Sequence, residues 1–295
     1  MQDRITKRNS ENRTACRPNG ARRETPAEAL LGKRNRDLEE QIALLKEERL
    51  RHRRSLNEAA QVQRKLIAPR LLRLGPFEVA SEVFPVEPIC GDFVTTFEAD
   101  GKIVLAIGDI LGKGLHAGMW FTHLVGLLRI FVPTLRDPAA VVAAINSHVA
   151  GLQPEPPITT MFIGQMDARS GELTYCNAGH PVPVLVRANG EVARLSTGGP
   201  VMGAVAGASY VTGTVALGAA DTLVGYSDGL VECRNARGED FGVERVAAAV
   251  RDSARGSADE VLFSVLGAAQ DFAASEPCAD DLALLVVHRA REHAS

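Results

Sequence analysis

Val104-Leu105-Ala106-Ile107-Gly108-Asp109-Ile110-Leu111-Gly112-Lys113-Gly114 runs an apolar strand into a glycine-rich bend that opens onto a helical stretch. The glycines let the backbone pass close to a ligand, so the Ile110 carbonyl can face the same ion as the Asp109 carboxylate. A phosphate-binding P-loop does not fit, because Lys113 is followed by Gly114 where that motif needs Ser or Thr. Three further segments set an aspartate where a strand pattern meets a turn or bend: Cys90-Gly91-Asp92, Ser227-Asp228-Gly229 and Asp280-Asp281. A fold that gathered them would hold about four carboxylates, and two such charges about 4 Å apart repel by roughly 4 kcal/mol at an effective dielectric near 20. Such a cluster calls for a cation. Oxygen-only ligation suits the hard ions Mg²⁺ or Mn²⁺ rather than Zn²⁺.

The rest of the chain after Gly75 reads as short β-type runs parted by Gly, Pro, Asn and Asp. Strands are expected at Phe77–Phe84, Lys102–Ile107, Thr160–Met166, Glu172–Cys176, Val182–Val186, Thr212–Leu217, Thr222–Tyr226 and Leu282–His288. Asp100-Gly101, Ser170-Gly171 and Asn189-Gly190 are turn dipeptides at hairpin spacing, which predicts antiparallel sheet. Helices are expected in pairs at about Leu115–Leu135 with Pro138–Leu152, and Val243–Ala254 with Ser257–Ala274. The order of strands, helix pair, strands, helix pair and last strand is an α+β plan with sheets inside and helices covering them.

Composition narrows the function classes. With 45% hydrophobic residues, 295 residues suffice for a full core. The net charge is −3, but the first 25 residues are basic, from Arg4 to Arg23, and the remainder carries about −7. An acidic body disfavours nucleic acid as the main ligand, and the basic head reads as a solvated, disordered tail over residues 1–25. The five cysteines are scattered, with no Cys-x-x-Cys spacing, which suggests neither a disulfide framework nor a zinc knot. No apolar run approaches the ~18 residues of a membrane helix and the polar start lacks a signal-peptide core, so a cytoplasmic protein without membrane association is expected.

From Pro26 to Leu72 the chain is rich in Leu, Ala, Glu, Lys and Arg and reads as one helix, closed by Pro69. Leu31, Leu38, Ile42 and Leu45 follow coiled-coil spacing before Arg49 and His52 interrupt the seam. Both a dimerising coiled coil and an amphipathic helix packed on its own domain fit that pattern. His116 and His123, seven apart on one helix face, read as packing because no third ligand is evident. His180 sits in a tight turn, where backbone bonding outweighs catalysis.

Joined to Leu223-Val224-Gly225-Tyr226-Ser227-Asp228-Gly229-Leu230-Val231-Glu232 and Asp280-Asp281-Leu282-Ala283-Leu284-Leu285-Val286-Val287, the opening motif resembles the metal-dependent protein phosphatases (PPM) of the protein phosphatase 2C type, in their SpoIIE/RsbU branch. Asn177-Ala178-Gly179-His180-Pro181, the turn from Gly198 to Gly203, and Glu232-Cys233-Arg234-Asn235 running to Phe241-Gly242 add to the likeness. It covers roughly Phe77–His288, with a phosphatase domain set at 76–289, and Ala60–Pro69 looks like the segment that precedes this domain in the family.

The resemblance implies an α-β-β-α sandwich of two antiparallel sheets with a two-ion Mn²⁺ or Mg²⁺ site at one end. Asp109 would bridge both ions, Asp92 and the Ile110 carbonyl would complete one, and Asp228 with Asp280 would hold the other. Asp281 is the second member of its pair and the less certain ligand. Departures are Cys90 before the Gly-Asp step, Leu111 where a small residue is common, and Ala283 where threonine often follows the aspartates. The implied activity is hydrolysis of phosphoserine or phosphothreonine on a STAS-type anti-anti-sigma protein in partner switching. A weakly catalytic module that sequesters its partner is the alternative, and a metal nuclease or phosphodiesterase is disfavoured by the acidic body.

Overall fold

The computed structural model describes residues 25–152, 157–274, 276 and 280–291. The basic tail, Cys16 and Cys278 lie outside the described residues. The chain divides into two compact units, one ending at Arg53 and one running from Arg54 onward. The first, as far as described, is the leading part of helix α1 (Pro26–Leu66), along which Leu31, Leu38, Ile42 and Leu45 are all exposed.

α1 stops at Leu66, six residues short of the expected Leu72. Pro69 has no N–H to continue the ladder and pushes Ala68 out of helical geometry, and the chain turns extended to form β1 (Leu71–Leu74). β1 pairs antiparallel with β2 (Phe77–Phe84). After β3 (Phe93–Ala99) and β4 (Lys102–Ile110) come α2 (Leu115–Leu135) and α3 (Pro138–Ala150). Asp137 caps α3, accepting the Ala140 N–H at 2.9 Å, and this cap contributes about 1 kcal/mol. β5 (Thr159–Asp167), β6 (Glu172–Ala178), β7 (Val184–Val186), β8 (Val192–Arg194), β9 (Gly198–Gly199), β10 (Gly213–Ala216) and β11 (Thr222–Tyr226) follow. The chain closes with α4 (Asp228–Val231), α5 (Gly242–Asp252), α6 (Ala258–Ala273) and β12 (Leu282–Arg289).

One sheet has the order β1-β2-β12-β11-β7-β8, and the other β10-β6-β5-β4-β3 with β9 beside β6. Pairing is antiparallel except for the two-residue β6–β9 contact. Period-2 alternation along the central strands decides the layering. On β12, Leu282, Leu284 and Val286 face α5 and α6, while Ala283, Leu285 and Val287 face the other sheet. On β4, Ile103, Leu105 and Ile107 join that same inter-sheet core, while Val104 and Ala106 turn towards α2 and α3. Three apolar layers therefore separate helices, sheet, sheet and helices, which is the expected α-β-β-α sandwich.

α2 is long and apolar enough to cross a membrane by length and composition alone. Its Phe121, Leu124, Val125 and Leu128 are buried in the core between the helix pair and β4–β6, which accounts for that apolar character.

Candidate metal centre

Both sheets deliver their aspartates to one neighbourhood. β4 carries Asp109 opposite Thr160 of β5, and the Ile110 N–H donates to the Gly91 carbonyl at 3.3 Å, so Cys90-Gly91-Asp92 runs beside the end of β4. A Cβ added at Gly91 would stand 2.5 Å from the Ile110 carbonyl oxygen, 2.8 Å from Asp109 Oδ1 and 3.1 Å from the Gly112 carbonyl. Glycine is thus required here by close approach, and the space it leaves is walled by three oxygens. Gly112 and Gly114, at φ 115° and 69°, bend the chain out of β4 towards α2.

The other sheet meets this cradle through β11 and β12. Ser227 N–H donates to the Ala283 carbonyl at 3.0 Å and Ser227 Oγ accepts the Ala283 N–H at 2.9 Å, which locks the strand ends together. The Ser227 side chain also lies beside the Asp92 carboxylate and favours its charged form. A Cβ at Gly229 would lie 1.9 Å from the Asp281 carbonyl oxygen, so Asp228-Gly229 and Asp280-Asp281 pack backbone to backbone. Gly229 N–H donates to Asp228 Oδ1 at 2.8 Å.

Burial and mutual repulsion govern the charges. Asp92 is almost fully buried, and burial, with the charges of Asp109, Asp281 and Asp228 adding to it, pushes its carboxyl up to about 8 against the effect of Ser227. Burial, then Asp228, Asp280 and Asp281, raises Asp109 to about 6. The four sequence-distant aspartate segments therefore feel one another. Asp281 is buried; it accepts the Val86 N–H at 2.7 Å and the Val86 and Gly91 backbones favour its charged form, yet burial still raises its carboxyl. Asp280 is exposed, and the Lys113 ammonium at 2.7 Å holds its carboxyl below the usual range.

Hard-ion chemistry fits this arrangement on three observations. The donor set is carboxylate and carbonyl oxygen, Asp92 Oδ2 is buried without a partner, and Gly91 leaves the oxygen-walled space described above. Among the described residues no three His, Cys, Asp or Glu side chains close into a cage by themselves. Cys90 is buried and its thiol is pushed up to about 12 by that burial and by Asp281, Asp92 and Asp109.

His180 belongs to the framework. Its backbone N–H donates to Asn177 Oδ1 at 2.8 Å, Asn177 Nδ2 donates to its carbonyl at 3.0 Å, and Nδ1 lies 2.9 Å from Thr160 Oγ1. Burial lowers its imidazole to about 3, so at neutral pH the ring is the neutral imidazole and not an imidazolium acid.

A family model for stage II sporulation protein E (SpoIIE) matches residues 99–290, about two thirds of the chain. The chain belongs to the SpoIIE family. Asp109, Asp228, Asp280 and Asp281 fall inside the match, whereas Asp92 lies just before it. Among curated relatives, "Protein IcfG" of Synechocystis sp. is 25% identical over 223 residues and "Phosphoserine phosphatase RsbU" of Bacillus subtilis is 25% identical over 181 residues. These alignments cover 66% and 61% of this chain but only 35% and 54% of the relatives, so the chain spans about a third of one and half of the other. The SiaA PP2C domain of Pseudomonas aeruginosa superposes with a TM-score of 0.68 at 19% identity, covering 79% of this chain and 95% of that domain. This SpoIIE family member therefore has the PP2C-type fold.

Sequence reading did not reveal three residues of the centre. Gln63, buried near the end of α1, donates from Nε2 to the Cys90 carbonyl at 2.8 Å and accepts the Cys90 N–H at 3.4 Å. Lys113 and Ser227 lie beside Asp280 and Asp92 as described. All three act across long sequence separations, and the one available signal was an amide at a buried position within a charged helix.

Proposed function

We propose that the chain is a divalent-metal-dependent protein phosphatase acting on phosphoserine or phosphothreonine. The observation that carries the reading is the gathering of Asp92, Asp109, Asp228 and the Asp280-Asp281 pair, with the Ile110 carbonyl, where the two sheets meet. Asp109 would be the carboxylate shared by two Mn²⁺ or Mg²⁺ ions, Asp92 and the Ile110 carbonyl would hold one, and Asp228 with Asp280 would hold the other. Bound ions would supply positive charge that activates water and neutralises the phosphoryl oxygens. The chain's own part is to hold these oxygens in place. Ser227 stands beside Asp92, while the Val86 N–H fixes Asp281 as a support beside the ligands. No protein nucleophile is required.

The substrate is proposed to be a phosphorylated STAS-type anti-anti-sigma protein in the cytoplasm, a reading supported by membership of the SpoIIE family and by the likeness to RsbU. Residues 76–289 are proposed as the phosphatase domain, with the apolar stripe of α1 (Pro26–Leu66) as a dimerising segment. Hydrolysis of an aryl phosphate and of a phosphoserine peptide, with Mn²⁺ and with EDTA, tests the activity. Metal-dependent turnover is expected. Inactivity with every metal, in a protein that still binds the phosphorylated partner, would favour a sequestering module instead.

A further inference from the structure

α2 and α3 present two imidazoles to each other at the protein surface. His123 Nε2 of α2 lies 3.1 Å from His148 Nε2 of α3, with ring centroids 5.2 Å apart and planes tilted by 34°. Both side chains are exposed. We propose that this pair is a site for a borderline divalent ion of the Zn²⁺, Ni²⁺ or Cu²⁺ class, clamping α2 to α3.

Distance and donor chemistry carry the assignment together. Two imidazole nitrogens bound at about 2.0–2.1 Å to one ion stand roughly 2.9–3.4 Å apart for N–metal–N angles between about 90° and 109°. The observed separation falls within that span. A neutral N–H···N bond alone would leave the pair with little to gain, because both rings are open to water, which competes for the same nitrogens. Imidazole suits borderline ions and the carboxylate centre suits hard ones, so the two sites differ in their preferred metals. His116 is not a third ligand: its Nε2 accepts the Trp120 indole N–H at 3.2 Å. Among the described residues no third His, Cys, Asp or Glu completes a cage, so water fills the remaining positions and binding is reversible. The proposal stands independently of the phosphatase reading.

A reporter is built in. Trp120 is the chain's single tryptophan, and its ring lies edge-on to His123 with centroids 5.9 Å apart. The full-length protein, kept in millimolar Mg²⁺ to satisfy the carboxylate centre, is titrated with Cu²⁺ while Trp120 emission is read, and with Zn²⁺ by calorimetry. One equivalent of each ion should bind, with Cu²⁺ quenching most of the emission. His148→Gln and His123→Gln, one from each helix, should each weaken Zn²⁺ binding at least tenfold and shift the quenching to correspondingly higher Cu²⁺. His116→Gln should leave the Zn²⁺ affinity unchanged. Equal Zn²⁺ isotherms for wild type, His123→Gln and His148→Gln, or a saturating Cu²⁺ titration that leaves Trp120 emission untouched, would overturn the proposal.

Discussion

Lys113 Nζ sits 2.7 Å from Asp280 Oδ1, with the two side chains 50% and 52% exposed. The ammonium therefore occupies the exposed face of a carboxylate assigned to an ion, and the two cations compete for it. An exposed pair of this kind is screened by water, so Lys113→Gln should tighten Mn²⁺ binding only modestly, by at most about fivefold in calorimetry. Unchanged or weaker affinity would show that Lys113 is no competitor.

Asp280 and Asp281 are adjacent yet differently placed, and their alanine variants should separate metal binding from stability. Asp281→Ala leaves the Val86 N–H without its acceptor and should cost about 1–3 kcal/mol in the Mn²⁺-saturated protein. Asp280→Ala should barely move the melting temperature of the metal-free protein but weaken Mn²⁺ binding the more of the two. A larger loss of metal affinity from Asp281→Ala would move the ligand by one residue.

Asp92 gives the metal-free protein a pH dependence of definite sign. Its carboxyl is raised from 3.8 to about 8 in the folded state, so the native state binds the extra proton between those values. The stability from this group is full below about pH 4 and is lost as pH rises through about 8. Asp92→Asn lacks that loss. In EDTA, the stability of wild type relative to Asp92→Asn should fall by a few kcal/mol between about pH 5 and 8.5, read from denaturant unfolding. His180, held neutral by burial, opposes folding on acidification in both proteins and cancels in the difference. A pH-independent difference would remove Asp92 from the buried cluster.

Leu38 and Leu45 are 46% and 64% exposed on α1, which leaves their stripe available for a second copy of the chain. Replacing both with Asp should turn a dimer into a monomer by light scattering. Wild-type protein that is already monomeric at high micromolar concentration would contradict pairing through this helix.

The elements that could be read from sequence are those with clean periodicity. Phe77–Phe84, Leu115–Leu135 and Thr222–Tyr226 have the expected limits. β3 escaped because Phe93, Val94, Thr95 and Thr96 are all buried, so its start carries no polar alternation. β8 and β9, at three and two residues, are too short for any period to register. Asp92, Asp109 and Asp228 were legible because each sits at a strand end beside glycine, and Asp280-Asp281 because the pair leads directly into the last apolar strand. What surrounds them was not: Lys113 reaches Asp280 across 167 positions and Gln63 reaches Cys90 across 27, and such contacts exist only once the layers have packed.

The central claim is that Asp109 is the shared carboxylate of a metal centre that hydrolyses phosphoserine. Its most direct test is Mn²⁺-dependent phosphate release from a phosphoserine peptide by wild type and by Asp109→Asn, with folding checked by circular dichroism. Loss of about 4 kcal/mol of transition-state stabilisation corresponds to roughly a thousandfold lower turnover, and that loss is expected with the fold intact. Near wild-type turnover by Asp109→Asn would contradict the account.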